Sequence, residues 1–249
     1  MKSLKILEKN MKICGIIFDK DGTLLDFNKF WVSVTDKAID EILQKCGADI
    51  SLKPKILSAL GVINSDVDIT GQLCSGTYES MGRCIYETLI ENGVKISENT
   101  DLKAVTVEAY HHNSHAGTVA PACDGLAEIL KNLKMRGIRL AVITTDDPYF
   151  TERCLKKLSV HEFFDEIYTD DGVFPTKPNP FCIDKFCGDF NLGRKEVVMV
   201  GDTLTDTSFA KNGGIFCVGV AKAARNKSVL SGNADIVLDD VSHIFEILD

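Results

Sequence analysis

Asp19 and Asp21 stand two residues apart in Phe18-Asp19-Lys20-Asp21-Gly22-Thr23-Leu24, directly after the apolar run Ile13-Cys14-Gly15-Ile16-Ile17-Phe18. A short, β-branched run followed by a turn signal reads as a buried parallel strand. Side chains two apart on an extended chain point the same way. The two carboxylates are therefore predicted to face one site and Lys20 to point elsewhere, with Gly22 allowing a sharp turn. Two like charges this close repel and become comfortable only with a cation between them. Taken alone, Asp-x-Asp-Gly is equally an acidic turn behind a strand. Two further apolar runs end in comparable chemistry. Leu140-Ala141-Val142-Ile143 leads into Thr144-Thr145-Asp146, and Val197-Val198-Met199-Val200 leads into Gly201-Asp202-Thr203-Leu204-Thr205-Asp206. Between them, Pro175-Thr176-Lys177-Pro178-Asn179-Pro180 places one lysine just before a helix start.

With these four stretches in order, the chain resembles the haloacid dehalogenase superfamily of phosphatases and phosphotransferases. The match is to the branch that includes phosphoglycolate phosphatase and β-phosphoglucomutase. The resemblance implies an α/β fold: a Rossmann-like parallel sheet with helices on both faces and an inserted α-helical cap domain. It implies a phosphatase that uses Mg²⁺ and acts on a small phosphorylated metabolite. Asp19, first after the strand and most firmly held by it, would attack phosphorus and carry an aspartyl-phosphate, dividing one difficult step into two. Asp21 would protonate the leaving oxygen and then take a proton from the attacking water; the bland alternative is a turn-capping Asp. Mg²⁺ prefers oxygen ligands and keeps several waters. The family analogy places it on Asp19, Asp202 and the backbone carbonyl of Asp21. Asp206 would orient metal-bound waters or Lys177. Lys177 would neutralise phosphate oxygens and lower the nucleophile's pKa, where a lysine chosen at random would sit at the surface. Phosphate would be held by Lys177, the Thr144 hydroxyl and the backbone N–H groups of Thr145 and Asp146 at the start of a helix. Asp147 and Pro148 read as that helix's N-cap and first position.

The chain departs from the family pattern after Thr144. Relatives often carry Asn and a basic residue there, whereas Thr145-Asp146-Asp147 predicts extra negative charge beside the phosphate. The runner-up activity is a phosphomutase, which passes the phosphoryl group to a second substrate hydroxyl. A non-catalytic phosphometabolite sensor is the alternative from another class, but it would be expected to carry degenerate motifs. Dehalogenase and phosphonate-cleaving relatives lack a carboxylate at the position of Asp21, and membrane ATPases carry Thr there.

The elements around these residues alternate between strand-like and helix-like patterns, as a parallel sheet requires. Later strands are predicted near Glu166–Tyr168, Val197–Val200, Ile215–Val218 and Ile236–Leu238. Residues 1–25 and 116–249 form the predicted catalytic core, and 26–115 the helical cap, with no convincing strand. Helical spacing links Trp31, Val34, Ala38 and Ile42, then Tyr78, Met81, Ile85 and Leu89, then Leu102, Val105 and Ala109. Gly61, Gly71 and Gly76 break the middle into loops. Arg83 and Lys103 are the cap's candidate substrate contacts. His111 and His115 could share a helical face and bind a metal, though His111, His112 and His115 read more simply as surface residues near a hinge. In the core, Leu126, Ile129, Leu130 and Leu133 form one apolar stripe, with Asp124 as candidate N-cap.

The chain has 249 residues, 45% of them apolar, enough for one large core or a core plus a smaller partner. A net charge of −8, with no basic cluster interleaved with aromatics, argues against nucleic acid or an anionic membrane as partner. Nine scattered cysteines read as thiols of a reducing cytosol rather than a disulfide framework. No run is long enough to span a bilayer, and Met1–Asn10 is too polar for a signal peptide, so a cytoplasmic location is expected.

Overall fold

The computed structural model describes residues 12–63, 66–97 and 100–248. The amino-terminal stretch Met1–Asn10 discussed above lies outside them. Two compact units divide the chain: one runs through Asp26 and resumes at Val119, the other spans Phe27–Thr118.

The first unit is a six-stranded sheet: β1 (Gly15–Phe18), β2 (Arg139–Ile143), β3 (Glu166–Tyr168), β4 (Val197–Gly201), β5 (Phe216–Val220) and β6 (Ile236–Leu238). Every ladder in it is parallel, and the strand order is β3-β2-β1-β4-β5-β6. The chain thus winds outward from β1 in one direction, then crosses back to wind outward in the other. Ligands in such sheets bind beyond the carboxyl ends of the strands where the order reverses. Here that point lies between β1 and β4.

Side chains alternate across this sheet with period two. Ile16, Phe18, Leu140, Val142, Val198 and Val200 pack on one face beneath α1 (Leu126–Met135) and α2 (Pro148–Lys157). Ile17, Ala141, Ile143, Val197 and Met199 pack on the other, against α3 (Phe181–Asp189) and α4 (Leu204–Gly213). Both faces are covered, which is why the strands read as unbroken apolar runs rather than as alternating ones. A short helix, α5 (Ala224–Ser231), follows β5. The predicted stripe of α1 is buried, but Asp124 does not cap it. Gly125 takes the N-cap position at φ 71°, with no side chain bonded to the helix end. A left-handed residue at that point turns the chain so that Asp124 falls outside the helix.

The second unit is mostly helical. Ser33–Lys45 packs on Leu102–Asn113, which packs on Tyr78–Glu91. Val34, Ala38 and Ile42 are buried as their spacing predicts, and so are Met81, Ile85 and Leu89. Leu102–Asn113 buries a different stripe: Thr106, Ala109 and Tyr110 are inside, while Leu102 and Val105 are only half-buried. Gly82 explains the choice. A Cβ there would lie 2.7 Å from the Thr106 hydroxyl oxygen, so the two helices cross closely at these two small residues. A two-residue antiparallel ladder, Val62–Ile63 with Asp66–Val67, corrects the expectation of a strandless segment.

Candidate active site

Register places the functional residues before any side chain is considered. Phe18 lies opposite both Val142 and Val200. Asp19, Thr144 and Asp202 therefore follow the ends of three adjacent strands, across the point where strand order reverses. Asp19, Thr144, Lys177, Asp202 and Asp206 are all buried.

The Lys177 ammonium ties the site together. It donates to Asp19 Oδ1 and to Asp206 Oδ1, each at 2.6 Å. Burial works against its charge, but the two carboxylates outweigh burial and hold it protonated well above the usual lysine range. Asp206 is fixed from its other end. Thr203 is the N-cap of α4, and the Asp206 Oδ2 accepts from the Thr203 backbone N–H at 3.0 Å and hydroxyl at 2.6 Å. A capping box thereby aims one oxygen of a fully buried carboxylate at Lys177. Helix α4 begins at Leu204, so Asp206 stands on its first turn.

Asp202 accepts from the Thr23 hydroxyl at 3.3 Å. Two glycines make room for this packing. Gly22 has φ +82°, and a Cβ on it would lie 2.0 Å from Asp202 Oδ2. A Cβ on Gly201 would lie 2.4 Å from the Asp206 Cβ.

Among the described residues, Asp19, Asp202 and Asp206 form one group whose oxygens lie within 4.8 Å of one another. No histidine belongs to that group. His115 lies beyond the helix, its Nδ1 2.8 Å from the His112 carbonyl, and the His112 ring sits beside Glu41. The three acids outnumber the one buried lysine among them. Burial, then the neighbouring carboxylates Asp206 and Asp21, push the Asp19 carboxyl up to about 7 in spite of Lys177. Asp202 is raised well above the ordinary range by burial first and by Asp19 next. A donor set made only of carboxylate oxygens, short of positive charge, suits a hard divalent cation.

A pH dependence follows. Between 3.8 and about 7 the folded Asp19 keeps a proton that the unfolded chain has lost. The folded state then binds more protons, and stability falls as pH rises. Chelated protein is expected to melt progressively lower from pH 4.5 to 7.5. Because a cation displaces those protons, a divalent cation should raise the melting temperature more at pH 7.5 than at 5. Scanning calorimetry with EDTA and with Mg²⁺ checks both slopes.

Asp21 does not join this cluster. β1 ends at Phe18, so the period-two argument stops there, and the chain turns back on itself with Gly22 N–H bonded to the Leu25 carbonyl. The Asp21 carboxylate instead meets Lys20, whose ammonium lies 2.8 and 2.7 Å from its two oxygens. Lys20 is completely buried and also pairs with Asp146 at 2.9 Å. Sequence reasoning left Lys20 without a partner and left Asp146 as excess charge; the fold joins them.

Thr144 is buried, with its N–H on the Tyr168 carbonyl. Its hydroxyl oxygen accepts from the Asp146 N–H at 3.2 Å, which leaves the hydroxyl proton to donate and removes that amide from the expected phosphate donors. Thr145 is exposed. Asp147 caps α2 through the Phe150 N–H, with Pro148 first in the helix. Arg83 and Lys103 belong to the second unit and are exposed, Arg83 beside Glu79.

The sequence model of haloacid dehalogenase-like hydrolases matches residues 13–214. The chain belongs to that family. It is a hydrolytic enzyme of the family. A pyrophosphatase, PpaX, from Halalkalibacterium halodurans is 24% identical over 96% of this chain and 98% of its own. A phosphoglycolate phosphatase from Thiobacillus denitrificans is 30% identical over 47% of this chain and 52% of its own. In fold, the chain is similar to the crystal structure of a predicted phosphoglycolate phosphatase from Haemophilus somnus. The TM-score is 0.71 at 19% identity, covering 95% and 98% of the two chains. Among the described residues, no helix is long and apolar enough to cross a membrane.

Proposed function

We propose that this protein is a Mg²⁺-dependent phosphatase that hydrolyses a small phosphate monoester through an aspartyl-phosphate on Asp19. One observation supports this above others: the buried Asp19 carboxylate is held by the Lys177 ammonium at 2.6 Å, at the reversal of strand order, with Asp202 and Asp206 beside it.

One Asp19 oxygen attacks phosphorus while the ester P–O bond breaks. Asp21, entering as the carboxylic acid, gives its proton to the departing alkoxide. The resulting Asp21 carboxylate then takes a proton from water as that water attacks phosphorus, and the bond to Asp19 breaks to release phosphate and the free carboxylate. Lys177 and the Thr144 hydroxyl stabilise charge on the non-bridging oxygens, a preorganised electrostatic role. Asp206 keeps the Lys177 ammonium aimed. Asp19 and Asp202, with the Asp21 carbonyl, would hold Mg²⁺, which supplies charge neutralisation of the phosphoryl group. Residues 27–118 are proposed as a cap that selects the leaving group, with Arg83 and Lys103 as its candidate contacts. All nine cysteines are free thiols, which supports placing the enzyme in a reducing, cytoplasmic compartment.

Phosphate release from phosphoglycolate, hexose phosphates, p-nitrophenyl phosphate and pyrophosphate, with Mg²⁺ and with EDTA, tests the reading. Mg²⁺-dependent release from at least one small monoester is expected. Isomerised sugar phosphate without phosphate release would make the enzyme a mutase, and release from pyrophosphate alone would overturn the monoester class.

A further inference from the structure

A lysine is almost never fully buried unless it is paired, and Lys20 is buried where packing alone would favour an apolar side chain. Its ammonium touches both oxygens of Asp21 at 2.8 and 2.7 Å and Asp146 Oδ2 at 2.9 Å. We propose that Lys20 is a positioning residue for acid–base catalysis, clamping the Asp21 carboxylate and tying it to the phosphate loop through Asp146.

The geometry carries this in three steps. Because both Asp21 oxygens meet a single nitrogen, the carboxylate cannot rotate without losing a contact. Asp146, the other anchor, is itself fixed. Its Oδ1 accepts from the Asp147 N–H at 2.9 Å, its N–H donates to the Thr144 hydroxyl oxygen at 3.2 Å, and its carbonyl accepts from the Asp170 N–H at 2.9 Å. Asp21 and Thr144 are thus joined by Lys20 and Asp146 into one unit, although they follow different strands. A group that must meet the leaving oxygen needs placement to within about 0.5 Å, and the Lys20 ammonium holds both Asp21 oxygens at once. The same ion pair offsets part of the negative charge expected at Asp146.

The inference rests on Asp21 acting as the acid, so the test separates the two claims. The variants are Lys20→Met, the double variant Lys20→Met/Asp146→Asn, and Asp21→Asn. The double variant removes a cation and an anion together, so the net charge at this point is unchanged if Lys20→Met alone fails to fold. Each is assayed by kcat/KM on β-glycerophosphate, whose alkoxide needs a proton to leave, and on p-nitrophenyl phosphate, whose leaving group does not. This ratio reports transfer to Asp19 and not the later hydrolysis, which the two substrates share. A misplaced acid costs about 10²-fold on the alkyl ester and less than about tenfold on the aryl ester. A merely structural defect lowers both alike. An equal loss on both esters, or no loss, in the Lys20 variants while Asp21→Asn shows the contrast overturns the role of Lys20. Absence of the contrast in Asp21→Asn overturns the acid assignment itself, and the Lys20 inference with it.

Discussion

Asp19→Asn is expected to lower kcat/KM by about 10⁴-fold or more, the order seen when a covalent nucleophile is removed. The amide cannot form an acyl-phosphate, and it takes away one of three carboxylates in the cation group. The fold should survive, because the Asn carbonyl still accepts from Lys177 and the backbone bond to the Val200 carbonyl is untouched. Without Mg²⁺ the variant should melt no lower than the parent, since a neutral side chain ends both the cost of burying a charge there and the repulsion from Asp206 and Asp21. Steady-state kinetics with a thermal melt on the same sample gives both results. Activity within about tenfold of the parent would remove Asp19 from the nucleophile's role.

Lys177→Met and Asp202→Asn are expected to move stability in opposite directions while both cost activity. Removing Lys177 leaves Asp19 and Asp206 buried with their shared cation gone, and breaking a buried pair from one side costs about 3–5 kcal/mol. It also removes a donor to the phosphoryl oxygens, worth about 10²–10³ in kcat. Asp202→Asn removes a charge that burial and Asp19 already disfavour, so chelated protein should melt higher. The Thr23 hydroxyl keeps its acceptor. The rise in melting temperature on adding Mg²⁺ should be lost, as should most turnover. Calorimetry on both variants, with and without Mg²⁺, decides the matter. A lower chelated melting temperature for Asp202→Asn would mean that its charge is not repelled in the fold.

The sheet was legible because its strands are buried on both faces. A strand with two apolar faces cannot alternate, so each of Val197–Val200 and Leu140–Ile143 shows as a continuous run with a polar residue marking its end. Strand ends are where the chemistry sits, and the same runs that announced the sheet therefore announced Asp19, Thr144 and Asp202. Asp147 was legible for a second reason, since caps obey local spacing. Periodicity does not extend past the element that justifies it. Asp21 lies three residues beyond the last residue of β1, in a turn, so its place near Asp19 rests on that turn rather than on strand alternation. Lys20 was missed because its pairing with Asp146 is set by tertiary contact between two loops. The stripe on Leu102–Asn113 shifted for a similar reason: the close crossing at Gly82 and Thr106 is a property of the helix pair, absent from either helix alone.

The central claim is that phosphoryl groups pass through Asp19. Enzyme mixed with Mg²⁺ and substrate, quenched within a turnover and treated with borohydride, should have the Asp19 side chain reduced to the alcohol of homoserine. Mass spectrometry of the peptide carrying residues 15–24 would locate the change, with Asp19→Asn as the blank. Reduction at Asp19 that requires substrate is the predicted result. An unmodified Asp19 during turnover, with phosphate released at the full rate, would contradict the account.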